Sequence, residues 1–232
     1  MSFFQYLLLL FLPVLSVNIY AAIGDLNWLM RLTQLLFIVG VFVIYVRRNK
    51  KIGFNALCFF VFFFLAQLVG LFFHSDTFSF LLLLFYIGGY FCLCREAFQN
   101  TQRQAATKSM LIYFLLLISV NTYLLFTHVT ELKDYMSNDL EFAVYILYYL
   151  NLLILGIVGL IYYLNSYSRK SVYFITLMLS FIFSDVLRDG AHFYLNDSAI
   201  LITGNLLWFT GLIFCLLFFL TPERKLRLMN LV

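Results

Sequence analysis

Long apolar runs separated by short polar connections make up most of this chain. Each run is close to the ~20 residues that a helix needs to cross a hydrocarbon core. The runs do not alternate between apolar and polar positions, as the strands of a membrane β-barrel do. The pattern predicts an all-α membrane protein, a bundle of eight transmembrane helices that forms one domain over residues 1–232, with spans at about 4–23, 27–46, 53–73, 78–98, 109–128, 141–164, 171–194 and 198–220.

The composition agrees with a membrane location. Of the 232 residues, 64% are hydrophobic and 11% are charged, and the mean hydropathy is +0.96. A soluble domain of this size cannot bury that much apolar surface, so the bilayer is the expected solvent, and a bacterial cytoplasmic membrane is the expected location. The first run could instead be a signal peptide, since Ala21 and Ala22 resemble a cleavage site, but no basic residue precedes it.

Basic connections alternate along the chain with acidic or neutral ones. Cytoplasmic loops of membrane proteins carry an excess of Lys and Arg. Here the basic connections follow the second, fourth and sixth runs, and a basic tail follows the eighth, which places both termini in the cytoplasm. The basic residues are Arg47, Arg48, Lys50, Lys51, Arg95, Arg103, Lys108, Arg169, Lys170, Arg224, Lys225 and Arg227.

The two halves of the chain align weakly with each other. A shift of 118 residues places FFLAQLVGLFFHSD over FIFSDVLRDGAHFY, with Gln67 on Asp185 and His74 on His192. Four spans in each half would give both halves the same orientation, as in a parallel repeat. Because few residues are identical, two parallel four-helix repeats and a chance match are both open.

The seventh run contains four ionisable residues. Asp185, Asp189 and His192 stand at i, i+4 and i+7, so a helix would place them on one face. Arg188 is three residues from Asp185 and four from His192, close enough to pair with either. Each such group costs roughly 2.5–3.5 kcal/mol to insert within a membrane helix, so a set of them marks a functional site or a paired polar core.

Other polar residues fall at a similar depth once the orientation is assigned. Arg31, Gln67, Asn151 and Asn205 lie in the outer half of their spans, as Asp185 does. We predict that they form a polar cavity with Arg188 and bind substrate. The alternative is structural, because isolated Asn and Gln often join helices by hydrogen bonds. The 16 tyrosines and 29 phenylalanines fit interfacial belts and a lipid-facing surface.

Zinc is an alternative to a site without metal. The three histidines, His74, His128 and His192, all fall at the outer ends of runs, and three His with a water form a catalytic zinc site. They stand on separate helices with no H-x-x-x-H pair, so we predict no cofactor. The four cysteines lie in apolar runs and are expected to be small buried side chains; they are Cys58, Cys92, Cys94 and Cys215.

Two neighbouring carboxyl groups in an apolar helix suggest acid–base chemistry. A low-dielectric pocket favours the protonated form of a carboxyl group, which can then donate its proton. Arg188 would keep one of Asp185 and Asp189 ionised, so the two would act as acid and base on an acid-labile bond. Asp185, Asp189 and His192 are therefore the predicted catalytic residues.

Eight spans, cytoplasmic termini and the Ser184-Asp185 pair on a late helix resemble the YhhN-type lysoplasmalogenases. That family has a Ser-Asp pair on a late helix and a Gly-Asp pair on an earlier one. The resemblance implies hydrolysis of the vinyl-ether bond of a lysolipid to a fatty aldehyde and a glycerophospho-headgroup. It also implies that Asp185 is the acid or stabilises the resulting cation, while Asp189 or His192 assists water.

The chain departs from the family pattern in two places. Ala66-Gln67 stands where the family has its Gly-Asp pair, and a glutamine cannot exchange a catalytic proton. Trp208-Phe209-Thr210-Gly211 stands where the family tends to have an aromatic pair followed by Ala-Gln. The resemblance is thus to a divergent member, in which Asp189 could supply the second carboxylate.

A non-enzymatic function is the second hypothesis. The same cavity could bind, sense or transport a small polar ligand or cation. A hydrolase needs a groove for one acyl chain that opens sideways to lipid, whereas a binding or transport protein predicts a closed or water-filled vestibule. The expected partner of the hydrolase is a membrane lipid or lysolipid, and no nucleic-acid partner is expected.

Overall fold

A computed structural model describes residues 3–49, 52–72, 79–101, 108–133, 139–166, 168–195 and 197–223. Every regular element in these ranges is helical. The α-helices are α1 (Phe3–Ile23), α2 (Asn27–Arg48), α3 (Phe54–Phe72), α4 (Ser79–Asn100), α5 (Lys108–Leu132), α6 (Asp139–Ser166), α7 (Arg169–Asp189) and α8 (Ser198–Leu220). A π-helical segment (Gly190–Leu195) follows α7.

Six of the helices in the described ranges, α2, α3, α4, α6, α7 and α8, are long and apolar enough to cross a membrane. This confirms the all-α prediction and is consistent with an integral, multi-pass membrane protein. The helices begin and end within a few residues of the predicted spans, except at the end of the seventh. There the α-helix ends at Asp189, and the chain continues in π-helical form through the predicted limit at residue 194.

Local hydrogen bonds explain where the last two helices begin. The side chain of Ser168 accepts a bond from the backbone N–H of Ser171, and Ser171 Oγ accepts one from the N–H of Ser168. This reciprocal capping satisfies two N–H groups that have no partner within the helix. Asp197 caps α8 in a similar way, because its carboxylate accepts a bond of 2.8 Å from the N–H of Ala199.

Helices α6 and α7 run in opposite directions, since Tyr149 in the first half of α6 contacts Asp189 at the end of α7, whereas Gly159 in the second half of α6 packs against Met178, earlier on α7. We call this end of the bundle the Asp189 end. The opposite end, where α7 begins, is the Lys170 end. The two ends differ in chemistry, and the ionisable residues predicted to form the site lie in or near the Asp189 end.

The Lys170 end contains an ion pair within the bundle. Lys170 was expected in a connection, but it lies in the first turn of α7 and is only 7% exposed. Its ammonium group lies 3.4 Å from a carboxylate oxygen of Glu96 on α4, and 5.0 Å from the centroid of the Phe218 ring. Asn55 on α3 donates a bond of 2.8 Å to Glu96. These contacts join α3, α4, α7 and α8 at one end of the bundle.

Helix α5 lies at the edge of the bundle and packs chiefly on α6. Leu116, Tyr123 and Phe126 on α5 are 63%, 70% and 65% exposed. Large apolar side chains with this exposure are costly in water and normal on a lipid-facing surface. The peripheral position of α5 leaves space between it and α7, which is described below.

Helices α7 and α8 are packed closely, and Gly211 permits the contact. A methyl carbon added to Gly211 would lie 2.7 Å from Cε1 of Phe181, a ring that is completely buried. Small residues at such contacts let helix backbones approach one another. We therefore expect Gly211→Ala to lower the free energy of unfolding by about 1–3 kcal/mol through overpacking.

The control for this prediction is Gly156→Ala on α6. A methyl carbon there would meet Cδ1 of Ile182 at 3.6 Å, an ordinary contact distance. Denaturant-induced unfolding in the same detergent would compare the two variants. Equal stability of the Gly211 and Gly156 variants would show that the α7–α8 contact relaxes without cost.

Candidate functional site

The predicted cluster on α7 is buried at the centre of the bundle. Asp185 is only 2% exposed, and its Oδ1 accepts a hydrogen bond from the guanidinium of Arg188 in an ion pair. Both residues face α4 and α6, because the helical spacing of three places them on one side of α7. Of the partners that the sequence left open for Arg188, the structure shows an ion pair with Asp185.

Two tyrosines complete the environment of Asp185. Oδ2 accepts hydrogen bonds from the hydroxyls of Tyr90 at 2.7 Å and Tyr148 at 2.5 Å. Each oxygen of the carboxylate therefore has a donor, and the ion pair supplies the opposite charge. Buried charges are tolerated where they are paired and hydrogen-bonded in this way. The Asp185 carboxylate is therefore held by contacts from α4, α6 and α7 as part of the packing.

Asp189 has a different environment one turn further along α7. It is half-buried, and Tyr149 donates a hydrogen bond to its Oδ2. The Tyr149 hydroxyl also lies 2.8 Å from Nε2 of His128 on α5. The three side chains thus form a hydrogen-bonded chain from α7 through α6 to α5. Such a chain can pass a proton between groups that exchange donor and acceptor roles.

A groove extends from this chain along the side of the bundle. Its volume is about 530 Å³, within the ~300–1,000 Å³ of ligand sites. Between Tyr149 and Leu160 on α6 it runs for roughly 16 Å, at 1.5 Å for each helical residue. The exposed side chains of Leu124 and Phe183 at its rim show that it opens sideways. Its walls are Ile118, Asn121, Leu124, Leu125, His128, Tyr149, Leu152, Leu153, Gly156, Ile157, Leu160, Met178, Leu179, Ile182, Phe183 and Val186.

The groove is largely apolar. His128 and Tyr149 are its polar groups at the Asp189 end, and Asn121 lies about 10 Å further along α5. Val186, which also lines the groove, is three residues before Asp189 on α7. A ligand with one long apolar chain would lie with that chain along the groove. The point where the apolar chain joins the polar part of the ligand would then lie beside Asp189, Tyr149 and His128.

The predicted cavity residues Arg31 and Gln67 contact Tyr86 of α4 and do not line the groove. Gln67 is fully buried and donates a bond of 2.5 Å from Nε2 to the hydroxyl of Tyr86. Arg31 interacts with the same hydroxyl and is half-buried. The guanidinium carbon of Arg188 lies 6.0 Å from the centroid of the Tyr86 ring. Tyr86 thus connects three of the predicted site residues.

Asn151 and Asn205 join helices instead of entering this group. Asn151 donates a bond of 2.9 Å to the backbone carbonyl of Ile87, which connects α6 to α4. Asn205 accepts a bond of 3.1 Å from Gln34, which connects α8 to α2. These contacts match the structural alternative for isolated amides. Their predicted role in substrate binding stays a prediction.

The histidine predictions fall largely outside the described residues. His74 lies in an undescribed range, and for His192 only the backbone within the π-helical segment is described, not the side chain. No group of three His, Cys, Asp or Glu side chains that could hold a metal occurs among the described residues. The zinc alternative and the catalytic role of His192 stay predictions.

None of the four tyrosines of this region was among the predicted site residues. Tyr86 and Tyr90 on α4, and Tyr148 and Tyr149 on α6, are each at most 3% exposed. They bind the predicted site residues, whereas tyrosine had been assigned to interfacial belts. The spacing of Tyr86 and Tyr90 by four residues places both on one helix face. That spacing, in a chain with a predicted buried carboxylate, is the sequence feature that could have indicated a role for these two tyrosines.

The fold and the site define a helical membrane-type bundle with a buried ion pair and a lateral groove. Comparison with protein-family models, curated proteins and solved structures finds no match to this chain. Conclusions about its function therefore depend on the geometry of its own residues.

Proposed function

We propose that this protein is a membrane-embedded hydrolase that cleaves a vinyl-ether bond in a single-chain lipid. The observation that supports this function best is the groove, which is largely apolar and ends at His128 and Tyr149. The groove has the sideways opening that a hydrolase of membrane lipids needs, and Tyr149 connects it to Asp189. The resemblance to the YhhN-type lysoplasmalogenases is in accord with this substrate.

The proposal includes eight spans, with both termini in the cytoplasm of a bacterial cell and the bundle in its cytoplasmic membrane. The alternation of basic and acidic connections supports this orientation. The Asp189 end then faces the outer leaflet. A lysolipid in that leaflet would enter the groove from the side, with its headgroup near the surface and its chain directed toward the centre of the membrane.

Asp189 is the proposed proton donor. In its protonated form it would donate to the second carbon of the alkenyl chain, and the first carbon would become an oxocarbenium ion. The resulting carboxylate would then accept a proton from the water that attacks this ion. The hemiacetal formed breaks into a fatty aldehyde and the free hydroxyl of the headgroup, so one water is consumed. Tyr149 and His128 would hold Asp189 and share the proton.

Asp185 has a supporting role in this scheme. Its oxygens accept bonds from Tyr90, Tyr148 and Arg188, so it is poorly placed to donate a proton. Its negative charge would still stabilise a cation that develops one helical turn away. The split between the two aspartates also explains how activity could persist with Gln67 at the position of the second acid in the family.

The test is aldehyde release from a vinyl-ether lysolipid by purified protein in nanodiscs, with and without a chelator. We expect release by the wild type that survives chelation. The variant Leu153→Trp places a bulky indole ring in the groove wall and should reduce aldehyde release from long-chain substrates. Leu150→Trp is the matched control, since Leu150 is exposed on the same helix and does not line the groove.

Absence of aldehyde from folded wild-type protein would exclude the hydrolase. The second hypothesis, binding or transport of a polar ligand or cation, would then be the one to pursue. Loss of release on chelation would instead support the zinc alternative. Equal rates for the Leu153 and Leu150 variants would show that the substrate chain lies elsewhere.

A further inference from the structure

Arg31 is a cation in the bundle interior without a carboxylate partner in the described structure. Two ion pairs form among the described residues, between Lys170 and Glu96 and between Arg188 and Asp185, and Arg31 takes part in neither. Its interacting neighbours include the hydroxyl of Tyr86, Tyr145 and the like charge of Arg188. A charge within an apolar bundle normally has a partner of opposite sign.

The position of Arg31 is built into the packing. It lies against Gly70 on α3, where an added methyl carbon would be 3.3 Å from Nε of Arg31 and 2.9 Å from Cδ1 of Leu82. The absence of a side chain at Gly70 leaves room for the Arg31 side chain, which extends from α2 toward α3 and α4. Arg31 is only half-buried, so its side chain is not fully enclosed by the bundle.

Arg188 retains donors that Asp185 does not use. A guanidinium has five N–H groups, and the described contact of Arg188 with the carboxylate is made through Nη2. Its side chain is 16% exposed, although the adjacent Asp185 is buried. Arg31 interacts with the hydroxyl of Tyr86 and Arg188 lies over its ring, so both guanidinium groups are next to the same side chain.

One further polar atom in this group has no partner. Gln67 is completely buried, and one end of its amide bonds Tyr86, whereas its Oε1 has no hydrogen-bond partner among the described residues. Buried polar atoms are rarely left unpaired in native proteins. The two arginines, Tyr86 and Gln67 therefore form a polar site. Within the described residues, some of its hydrogen-bond donors and the Oε1 acceptor of Gln67 have no partner.

We propose that Arg31 and Arg188 bind the phosphate group of a ligand. Two guanidinium groups suit an oxyanion, because each can donate two parallel hydrogen bonds to it. One negative ligand would also relieve the repulsion between the two arginines. The phosphate site rests on the proposed function only for the source of the phosphate, which in the hydrolase is the headgroup of the lysolipid. A free phosphate ion would use the same chemistry.

The location agrees with a headgroup site. Tyr145 lies within electrostatic range of Arg31 and Arg188 and also of Asp189. It is one helical turn from Tyr149, which lines the groove. A lysolipid could then place its phosphate at the arginines and its chain in the groove, with the bond between them beside Asp189.

The test measures binding with probes that the protein cannot cleave. These are inorganic phosphate, a saturated 1-alkylglycerol 3-phosphate and the uncharged 1-alkylglycerol, each titrated into purified protein in a non-ionic detergent. We expect the wild type to bind the phosphate lipid more tightly than the uncharged one. Arg31→Gln should weaken binding of the phosphate lipid by about 10–100-fold, as for the loss of charged hydrogen bonds. Its affinity for the uncharged lipid should stay the same.

Arg47→Gln is the matched control, because it removes the same charge from the exposed cytoplasmic-side end of α2 in the proposed orientation. Arg31→Lys, which keeps the charge, should restore part of the affinity. Thermal unfolding without ligand adds a second readout. A phosphate-binding arginine should be dispensable for folding, so Arg31→Gln should unfold at or above the wild-type temperature.

Equal affinity of Arg31→Gln and wild type for the phosphate lipid would overturn the proposal, as would equal binding of the charged and uncharged lipids by wild type. Binding of inorganic phosphate that depends on Arg31 but does not compete with the phosphate lipid would support a free-anion site. Since neither alkyl lipid has a vinyl ether, the result does not depend on turnover. Arg31-dependent binding without aldehyde release would retain the phosphate site and reject the hydrolase.

Discussion

Asp189→Asn should reduce aldehyde release by about 10²–10⁴-fold, the usual contribution of a general acid or base. The amide keeps the size of the carboxyl group but cannot donate and recover a proton during the reaction. The fold should persist, because Asp189 is half-buried and contacts Tyr149 at the edge of the cluster. The measurement is the initial rate for each folded molecule, with the fraction folded taken from thermal unfolding.

Variants of the two neighbours provide a graded comparison. Tyr149→Phe removes the hydroxyl that connects Asp189 to His128, and His128→Gln replaces the outer member of the chain. We expect both variants to lower the rate less than Asp189→Asn does, because Tyr149 and His128 would position Asp189 but would not donate the proton to the substrate. A wild-type rate in Asp189→Asn would contradict the role of Asp189 as the proton donor, whatever the rates of the Tyr149 and His128 variants.

Asp185→Leu should lower the free energy of unfolding by about 3–5 kcal/mol, because it leaves the Arg188 charge buried without its partner. It would also remove the acceptor of the Tyr90 and Tyr148 hydroxyls. Unfolding in denaturant measures this cost directly. Asp139→Leu removes the same charge at an exposed position on α6 and should change stability little.

A double variant separates a structural ion pair from a catalytic carboxylate. Replacing both charges, as in Asp185→Leu with Arg188→Met, should recover much of the lost stability, because apolar residues of similar size can replace a buried ion pair. The recovered protein should still lack activity, because it lacks both the Asp185 charge and the Arg188 guanidinium. Wild-type stability in the single Asp185 variant would show that the ion pair contributes nothing to the fold.

The helices could be predicted well from the sequence because membrane spans depend on length and apolar composition. The pairing of Arg188 with Asp185 could also be predicted, since it depends on spacing within one helix. Contacts between helices were harder to predict. Tyr90 and Tyr148 come from α4 and α6, and a tyrosine in an apolar run can face either lipid or the interior. Its orientation depends on helix rotation, which the sequence pattern of an almost wholly apolar span does not specify.

The end of α7 shows a second limit. Gly190 follows Asp189 and has an ordinary helical backbone, with φ −57° and ψ −43°, instead of the left-handed conformation that often ends a helix at glycine. The chain continues into the π-helical segment, where the spacing of side chains differs from 3.6 residues per turn. The prediction that His192 shares a face with Asp185 and Asp189 assumed a regular α-helix throughout.

The close contact of α7 with α8 also bears on how the chain enters a membrane during synthesis. Alone, α7 would carry Asp185, Arg188 and Asp189 into lipid, at roughly 2.5–3.5 kcal/mol for each on insertion scales. Helix α8 has no acidic or basic residue between Ser198 and Leu220, and it fits against α7 at Gly204 and Gly211. We expect the two helices to insert together as a hairpin, so that the strongly apolar α8 carries its charged neighbour into the bilayer.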